Sequence, residues 1–272
     1  MAPPSLAERF GNSLKRDGLA ATARKAARAP FRQIGSWVQS YRRWRLNRSS
    51  DPQVIFAMIH RLNVWDDPES VSGPGSTLAY TAGLRRQLQA VIARQAVRTF
   101  FDAPCGDFNW MRLVVAANPI DYLGGDIVAA LVAANQAAHG GDRTRFIRFD
   151  ITRDPFPAAD LWFCRDCLFH LSNRQILAAL RNFSASAVTY ALLTNDRGVT
   201  PFANTDIRTG DCRRLNLFAP PFQLPREVLL RIPEGPPPDT GREMCLWTRE
   251  QIAAALPGME RALQAAETAA AD

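Results

Sequence analysis

Three acidic residues stand where strand-like segments of this chain end. The apolar runs 97–102, 120–126 and 144–150 each finish in an aspartate, namely Asp102, Asp126 and Asp150. In an open parallel sheet, ligands bind at the carboxyl ends of the strands. One acid after a strand is usually a turn residue. Three acids on successive strands predict instead an acidic rim that faces a ligand.

The spacing of these acids is typical of a nucleoside site. Asp126 lies 20 residues beyond Gly106, the distance at which an acid accepts hydrogen bonds from ribose hydroxyls. Asp150 has the chemistry to accept from an exocyclic amine such as that of adenine. Ile127 and Ile151 would offer the base two apolar faces. We therefore expect an adenosine-like ligand.

The loop that follows the first strand, DAPCGDFNWM at 102–111, argues against a phosphate. Dinucleotide loops read G-x-G-x-x-G, and their glycines make room for a pyrophosphate. Here Pro104 lacks an amide donor and Asp107 would add negative charge. A cation that carries an amino group suits Asp102 and Asp107 better. S-adenosylmethionine has a sulfonium, an ammonium, a ribose and an adenine, and it is the predicted cofactor.

The elements that must position these acids alternate along the chain. Further strands are predicted at 159–165 and 187–195, and helices at 51–63, 78–96, 109–118, 128–139 and 172–184. This order predicts an α/β fold, a doubly wound and mainly parallel sheet. Two late strands at 226–232 and 242–248 should pair antiparallel. The predicted regions are a basic arm at 1–50, a helical cap at 51–96, a catalytic domain at 97–255 and a tail at 256–272.

The N-terminal region holds the excess positive charge. The whole chain has a net charge of +7, and its first 50 residues contain 11 basic residues and two acids. An apolar stripe with helical spacing runs through that basic segment: Ile34, Trp37, Val38, Tyr41 and Trp44. Such a helix could lie on an anionic membrane or on a partner, or pack on the body of the protein. Both interpretations stay open.

Composition sets the remaining limits. No apolar run approaches the roughly 20 residues of a membrane span, and the first residues lack the apolar centre of a secretory signal. The five cysteines are scattered and odd in number, which is typical of reduced thiols. We expect a cytoplasmic protein, with contact at the inner membrane surface as a further possibility. An organelle presequence stays open if the source is a eukaryote. The sequence does not indicate an oligomeric state.

These motifs together resemble class I S-adenosylmethionine-dependent methyltransferases over residues 70 to about 250. GGDI at 124–127, FDI at 149–151 and DLWFCRDCLFHL at 160–171 match family segments. The chain also resembles a bacterial subgroup that combines S-G-x-G-S, DAPCGDFNWM, GGDI, CRD and N-L-x-x-P-P-F. It departs from the usual D/E-x-G-x-G-x-G at Pro104 and Phe108. The resemblance implies a Rossmann-like fold.

The resemblance also implies roles for single residues. The loop residues Asp102, Cys105, Gly106 and Asp107 would cradle the methionine part of the cofactor. Asp126 would hold the ribose and Asp150 the adenine amine, with Ile127 and Ile151 beside the base, and Arg165 and Asp166 would close the site after the fourth strand. Thr81 and Arg85, on the helix before the first strand, would reach the cofactor carboxylate.

A hydroxyl acceptor benefits from a general base. Asp166 and His170 are the candidates, although His170 could equally be a packed histidine at a helix start. Asn195 and Asp196 are further candidates on the acceptor side. Pro220-Pro221-Phe222 is similar to the box of amino-methyltransferases, but it follows the fifth strand and not the fourth. Cys164-x-x-Cys167 has the spacing of a zinc site but no further ligands, so no metal is expected.

The predicted function is therefore methyl transfer to a small hydroxylated acceptor, such as a sugar or a glycan-lipid intermediate. Three alternatives remain open: a nucleic-acid methyltransferase, a protein methyltransferase, and a silent protein that binds S-adenosylmethionine without transferring its methyl group. Nucleic acid is the less favoured partner, because the excess positive charge is confined to residues 1–50.

Overall fold

The computed structural model describes residues 49–197, 202–235 and 241–271. The helices are α1 (Pro52–Arg61), α2 (Leu78–Arg94), α3 (Met111–Ala117), α4 (Ala129–His139), α5 (Asn173–Ser184) and α6 (Arg249–Ala271). The strands are β1 (Thr99–Asp102), β2 (Asp121–Asp126), β3 (Thr144–Arg148), β4 (Leu161–Cys164), β5 (Tyr190–Asp196), β6 (Leu230–Pro233) and β7 (Arg242–Thr248). Except for its last two residues, the predicted basic arm lies outside the described residues.

The seven strands form one sheet in the order β3-β2-β1-β4-β5-β7-β6. The strands β1 to β5 run parallel to their neighbours within that group. The last strand, β7, lies antiparallel to both β5 and β6. The predicted mainly parallel sheet with an antiparallel C-terminal pair is therefore confirmed.

Helices cover both faces of the sheet. Consecutive strand residues enter opposite apolar clusters, as Phe101 packs with helices α5 and α6 while Phe100 packs with α2 and α3. A strand that is buried on both faces needs apolar residues without alternation. The fully buried run Leu161–Cys164 of β4 has this composition.

Several boundaries differ from the sequence-based ones, and two of these differences have a clear physical reason. Strand β3 ends at Arg148, two residues before Asp150, because its neighbour β2 ends at the paired Asp126. Helix α6 runs through the expected tail boundary at residue 255. Its residues Met259 and Leu263 are buried in the cluster that also contains α5.

Helix starts are fixed by side-chain caps. The Ser172 hydroxyl accepts a hydrogen bond from the Gln175 amide, and the Gln175 side-chain oxygen accepts one from the Ser172 amide. Helix α5 therefore begins at the predicted position. The side chain of Asp51 accepts the Gln53 amide at 2.8 Å and starts α1 in the same way. These caps define where the chain enters the helices beside the site.

Among the described residues, no helix combines the length and the apolar character that crossing a membrane would require.

Candidate functional site

The loop after β1 turns sharply at Gly106. This glycine has φ of +57°, the left-handed region that favours glycine. Its amide donates to Asp126 at 3.2 Å, and the Cys105 amide donates to the Gly125 carbonyl at 2.9 Å. A Cβ at Gly106 would lie 2.4 Å from the Ser72 hydroxyl oxygen. The backbone here is packed too closely for a side chain.

Phe108 replaces one of the glycines usual in such loops, yet it keeps a left-handed φ of +57°. Its ring is buried against Tyr122 and Phe146, with ring centroids 4.9 and 5.0 Å away. A left-handed residue costs about 1–2 kcal/mol. Burial of a phenylalanine side chain contributes about 1.5–3 kcal/mol, which offsets that cost. The departure from the family motif is therefore accommodated by packing.

We expect Gly106→Ala to destabilise the protein by about 1–3 kcal/mol, because alanine is strained at a positive φ and its Cβ would clash with the Ser72 side chain. The matched control is Gly83→Ala in helix α2, where nothing lies within 4 Å of a new Cβ. That control should stabilise the protein by about 0.5–1 kcal/mol. Urea denaturation measures both variants. Equal stabilities would contradict the close packing described for the loop.

One pocket collects the strand-end acids. It encloses about 1130 Å³, counting space open to solvent, and Asp102, Asp126 and Asp150 all line it. The pocket also contains these other expected site residues: Cys105, Gly106, Asp107, Ile127, Ile151, Arg165, Asp166 and His170.

Asp126 is held in place by backbone amides. One carboxylate oxygen accepts from Val128 at 2.9 Å and the other from Gly106 at 3.2 Å. Burial raises the pKa of Asp126, while these two amides lower it. Two carboxylate oxygens offer about four acceptor positions, so each can still accept a hydroxyl. This geometry suits a vicinal diol such as ribose.

Asp150 lies just beyond β3 with one oxygen already engaged. Its Oδ1 accepts from the Thr152 amide at 2.9 Å and from the Thr152 hydroxyl at 2.6 Å. The other oxygen, Oδ2, lies 4.0 Å from Arg153. Ile127 and Ile151 both line the pocket beside these acids. The residues suit an aromatic base that carries an amine.

Asp102 is the most deeply perturbed acid of the site. Burial raises its pKa to about 8, although a 2.7 Å hydrogen bond from the Tyr122 hydroxyl acts in the opposite direction. In the free protein at neutral pH this carboxyl group therefore carries its proton. A cationic ligand group beside it would favour the ionised form.

Residues 70–76 form a loop that crosses the β1 loop. The Ser70 hydroxyl donates to the Asp107 carboxylate at 2.7 Å, and the Asp107 amide donates to the Ser72 hydroxyl at 3.0 Å. Asn109 joins the same contact by donating to Glu69 at 2.8 Å. Sequence analysis matched this segment to the S-G-x-G-S motif of the resemblance but assigned it no contact. Its repeated serines and glycines were the available signal.

Arg165 is a buried cation that ties its own segment to two others. Its guanidinium donates to the Gly75 carbonyl at 2.8 Å, forms an ion pair with Glu234, and lies 3.2 Å from Asp166. Arg242 contacts the other oxygen of Asp166 at 3.0 Å. Sequence analysis missed Glu234 and Arg242, because only folding brings β6 and β7 to this end of the sheet.

His170 has a defined tautomer. Its Nδ1 lies 2.8 Å from the Asp211 carbonyl oxygen, which can only accept, so Nδ1 carries the proton and Nε2 is the basic nitrogen. Burial lowers the pKa of His170, and the Asp211 carbonyl opposes that effect. The ring is therefore neutral at pH 7. Since His170 lines the pocket, a neutral base is available there.

Helix α1 supplies a wall that sequence analysis did not assign. Pro52, Phe56 and His60, spaced four residues apart on one helix face, line the pocket. Trp65, just beyond the helix, lines it as well. The four-residue spacing was visible in the sequence, but nothing there indicated which surface the stripe faces.

Arg85 does not belong to this pocket, contrary to the expectation from the resemblance. Its guanidinium donates to the Leu78 carbonyl at 2.9 Å. It lines a separate surface depression with Gln89 and Leu113. Thr81 is fully buried, and its hydroxyl donates to the Thr77 carbonyl at 2.8 Å.

Asn195 and Asp196 are also outside the pocket lining. The Asn195 side chain accepts the Leu217 amide at 2.7 Å, and Asp196 accepts the Leu215 amide at 2.9 Å. Both acceptor-side candidates thus hold the 215–217 backbone against β5. Phe222, from the Pro-Pro-Phe segment, is fully buried in the core.

The Cys105 thiol, which lines the site, is uncharged. Burial raises the pKa of Cys105 well above its ordinary value, and it does the same for Cys164. Across residues 49–197, 202–235 and 241–271, no group of three or more His, Cys, Asp or Glu side chains is placed to hold a metal ion.

Comparisons with known proteins return matches among solved structures only. No protein-family model matches the chain, and no curated protein does. Magnesium protoporphyrin IX methyltransferase from Synechocystis PCC 6803, with bound SAH, is 13% identical over 63% of this chain and 85% of that chain, with a TM-score of 0.45.

Two further structures illustrate the range of matches. Human N-acetylserotonin methyltransferase in complex with SAM is 12% identical over 64% of this chain and 59% of that chain, with a TM-score of 0.42. The [4+2]-cyclase SpnF is 18% identical over 60% of this chain and 68% of that chain, with a TM-score of 0.45. Such distant alignments do not assign an activity to this chain.

The class of fold follows from the sheet itself. The strand order 3-2-1-4-5-7-6, with only β7 reversed among the described strands, is that of the Rossmann-like class I methyltransferase fold. The pocket lies at the carboxyl ends of the parallel strands, where such sheets bind ligands.

Proposed function

We propose that this protein is an S-adenosylmethionine-dependent methyltransferase that acts on a small hydroxylated acceptor. The observation that carries the proposal is one pocket that combines three strand-end aspartates with a neutral histidine. The acids suit the ribose, base and cationic parts of the cofactor. The histidine suits an acceptor that must lose a proton.

The residues present fit this cofactor better than a phosphate-bearing one. Asp126 would hold the ribose hydroxyls, and Asp150 the adenine amine between Ile127 and Ile151. Asp102 would face the positively charged methionine end. Asp107 borders the same end, although Ser70 and the Asn109 amide already occupy its carboxylate. A pyrophosphate would meet these acids and a proline without an amide donor.

When bound, S-adenosylmethionine supplies an activated methyl group, whose carbon forms a bond to the acceptor oxygen as its bond to sulfur breaks and the electron pair stays on sulfur. The remaining requirement is removal of the hydroxyl proton. His170 Nε2 would accept it, because Nδ1 is fixed as a donor to the Asp211 carbonyl. Asp166 is the weaker candidate, since Arg165 and Arg242 both engage its carboxylate.

A sugar or a glycan-lipid intermediate is the finer proposal for the acceptor. It is supported by the basic and aromatic sequence of residues 1–50, which would bring the enzyme to an anionic membrane where such intermediates are found. Those residues lie almost wholly outside the described part of the chain. This finer proposal therefore depends on the sequence alone.

Calorimetric titration with S-adenosylmethionine tests the proposal. We expect 1:1 binding by the wild type and about 10- to 150-fold weaker binding by Asp126→Asn, because a hydrogen bond to a charged group contributes about 1.5–3 kcal/mol. Asp121→Asn is the matched control, since Asp121 begins the same strand with its side chain 61% exposed. Wild-type protein that is folded but gives no heat and no thermal shift would refute the proposal.

A silent binding protein would give the same calorimetric result. An assay for transfer of a labelled methyl group to an acceptor distinguishes the enzyme from a silent binding protein. Only the enzyme would release S-adenosylhomocysteine together with a methylated product.

A further inference from the structure

Trp65 is a large apolar side chain that the protein core does not use. It is half-buried and belongs to neither of the two buried apolar clusters, yet it lines the pocket. A tryptophan left partly in water at a pocket wall forgoes the free energy of burial unless a ligand covers it. This residue therefore calls for an occupant.

The position of Trp65 is fixed from two sides. Gly73, with φ of +93°, packs so closely that a Cβ there would lie 3.1 Å from the Trp65 Cβ. On the other side, the Trp65 and His170 rings have centroids 5.7 Å apart at an interplanar angle of 36°. Another ring does not fit between rings this close. A ring that reaches His170 is therefore excluded from the space between these two rings, and both rings line the pocket in which it would lie.

The surroundings of this wall carry little net charge. His170 is neutral because burial lowers its pKa. The Asp166 carboxylate lies 3.2 Å from Arg165 and 3.0 Å from Arg242, so its charge is compensated. A phosphate or carboxylate on the acceptor would find no uncompensated cation among these groups. An uncharged molecule fits them better.

We infer that Trp65 is the platform on which the methyl acceptor lies, and that the acceptor is an uncharged hydroxyl borne on a ring with an apolar face. A saccharide and a phenol share this chemistry. The inference rests on the proposed function, because it takes the adenosine half of the pocket as the cofactor's place. Trp65 then determines which ring is accepted, while His170 receives the proton.

The test uses the whole protein saturated with S-adenosylhomocysteine, which has no methyl group to transfer. Saturation-transfer NMR is recorded with four probes: methyl α-glucopyranoside, phenol, glucose 6-phosphate and benzoate. We expect signal transfer to one of the two neutral probes. The probe that responds shows whether the acceptor is a saccharide or a phenol. A signal that saturates as the concentration of that probe is raised shows that the contact is specific.

Two variants assign the contact. Trp65→Ala should lose the signal at least tenfold while its affinity for S-adenosylhomocysteine stays within about twofold of wild type. Trp65→Phe should retain most of the signal, because a smaller aromatic face remains. Leu229→Ala, at an exposed apolar residue outside the pocket, is the control and should behave as wild type.

Several results would overturn the inference. Unchanged probe binding by Trp65→Ala would remove the platform role, and preference for the anionic probes would contradict the neutral acceptor. A wild type that binds S-adenosylhomocysteine and none of the neutral probes would also refute it while leaving the cofactor site intact. Failure to bind S-adenosylhomocysteine at all would refute the proposed function itself, so the two failures are distinguishable.

Discussion

Replacement of His170 by glutamine should lower turnover by about 10²- to 10⁴-fold, the usual contribution of a general base. The wild-type rate should also fall on acidification, because protonation removes the free Nε2. Since burial lowers the pKa of His170 from its ordinary value of 6.5, the midpoint of that fall should lie below pH 6.5. With saturating cofactor, the rate should be level at pH values well above that. Rates are measured with whichever ring alcohol gives methyl transfer.

The pH profile separates catalysis from packing. If His170 were merely structural, its replacement would change stability and leave the fall in rate at acidic pH in place. If His170 is the base, His170→Gln should abolish that fall. Cofactor affinity in the variant should stay within a few-fold of wild type. NMR titration of the three histidines, with His170→Gln to assign the signal, gives the pKa directly. A His170 that titrates above 6.5 would contradict the mechanism.

Cofactor affinity should depend steeply on pH through Asp102. Burial raises the pKa of this acid in the free protein to about 8. If the bound cation requires the carboxylate, the observed affinity falls about tenfold for each unit below pH 8. Calorimetry at pH 7 in buffers of different ionisation heat should then detect the release of about one proton on binding.

Asp102→Asn provides the control for this linkage. The variant should bind more weakly, with a much smaller pH slope and little proton release; any slope that remains would report Asp126, whose pKa is also raised. Affinity in the wild type that stays constant between pH 6 and pH 8 would show that Asp102 does not titrate with the ligand.

The same shift has a consequence for the free protein. The folded state retains the Asp102 proton up to about pH 8, whereas the unfolded chain loses it near 3.8. Over that window the folded state binds more protons, so the free energy of unfolding contributed by Asp102 decreases as pH rises. Asp102→Asn should reduce this decline, since the amide has no proton to lose.

Much of the architecture could be predicted from the sequence. The alternation of apolar runs with helical patterns identified the strands and the mainly parallel sheet, because fully buried strands need continuous apolar residues. The three aspartates were placed on one rim because parallel strands end at the same edge. Ser172 marked the start of α5 because its side chain satisfies a free amide of the first helical turn.

The predictions that failed concern side-chain direction. Arg85 lies on the helix next to the site, but its face points to a separate depression. Asn195 and Asp196 end a strand at the correct edge, yet they bind the 215–217 backbone. Sequence spacing gives the helix or strand that carries a residue, and the rotation of that element about its axis is set by packing with the rest of the chain.

By itself, the sequence determined the fold class and the rim of acids, since these follow from local periodicity and residue type, and the proposed ligand was inferred from those acids. Only the tertiary structure decided the Arg165 ion network, the tautomer of His170 and the place of Trp65. Each of these depends on contacts between segments far apart in the chain, such as Gly75 with Arg165 and His170 with Asp211. Such contacts form only when the whole sheet brings those segments together.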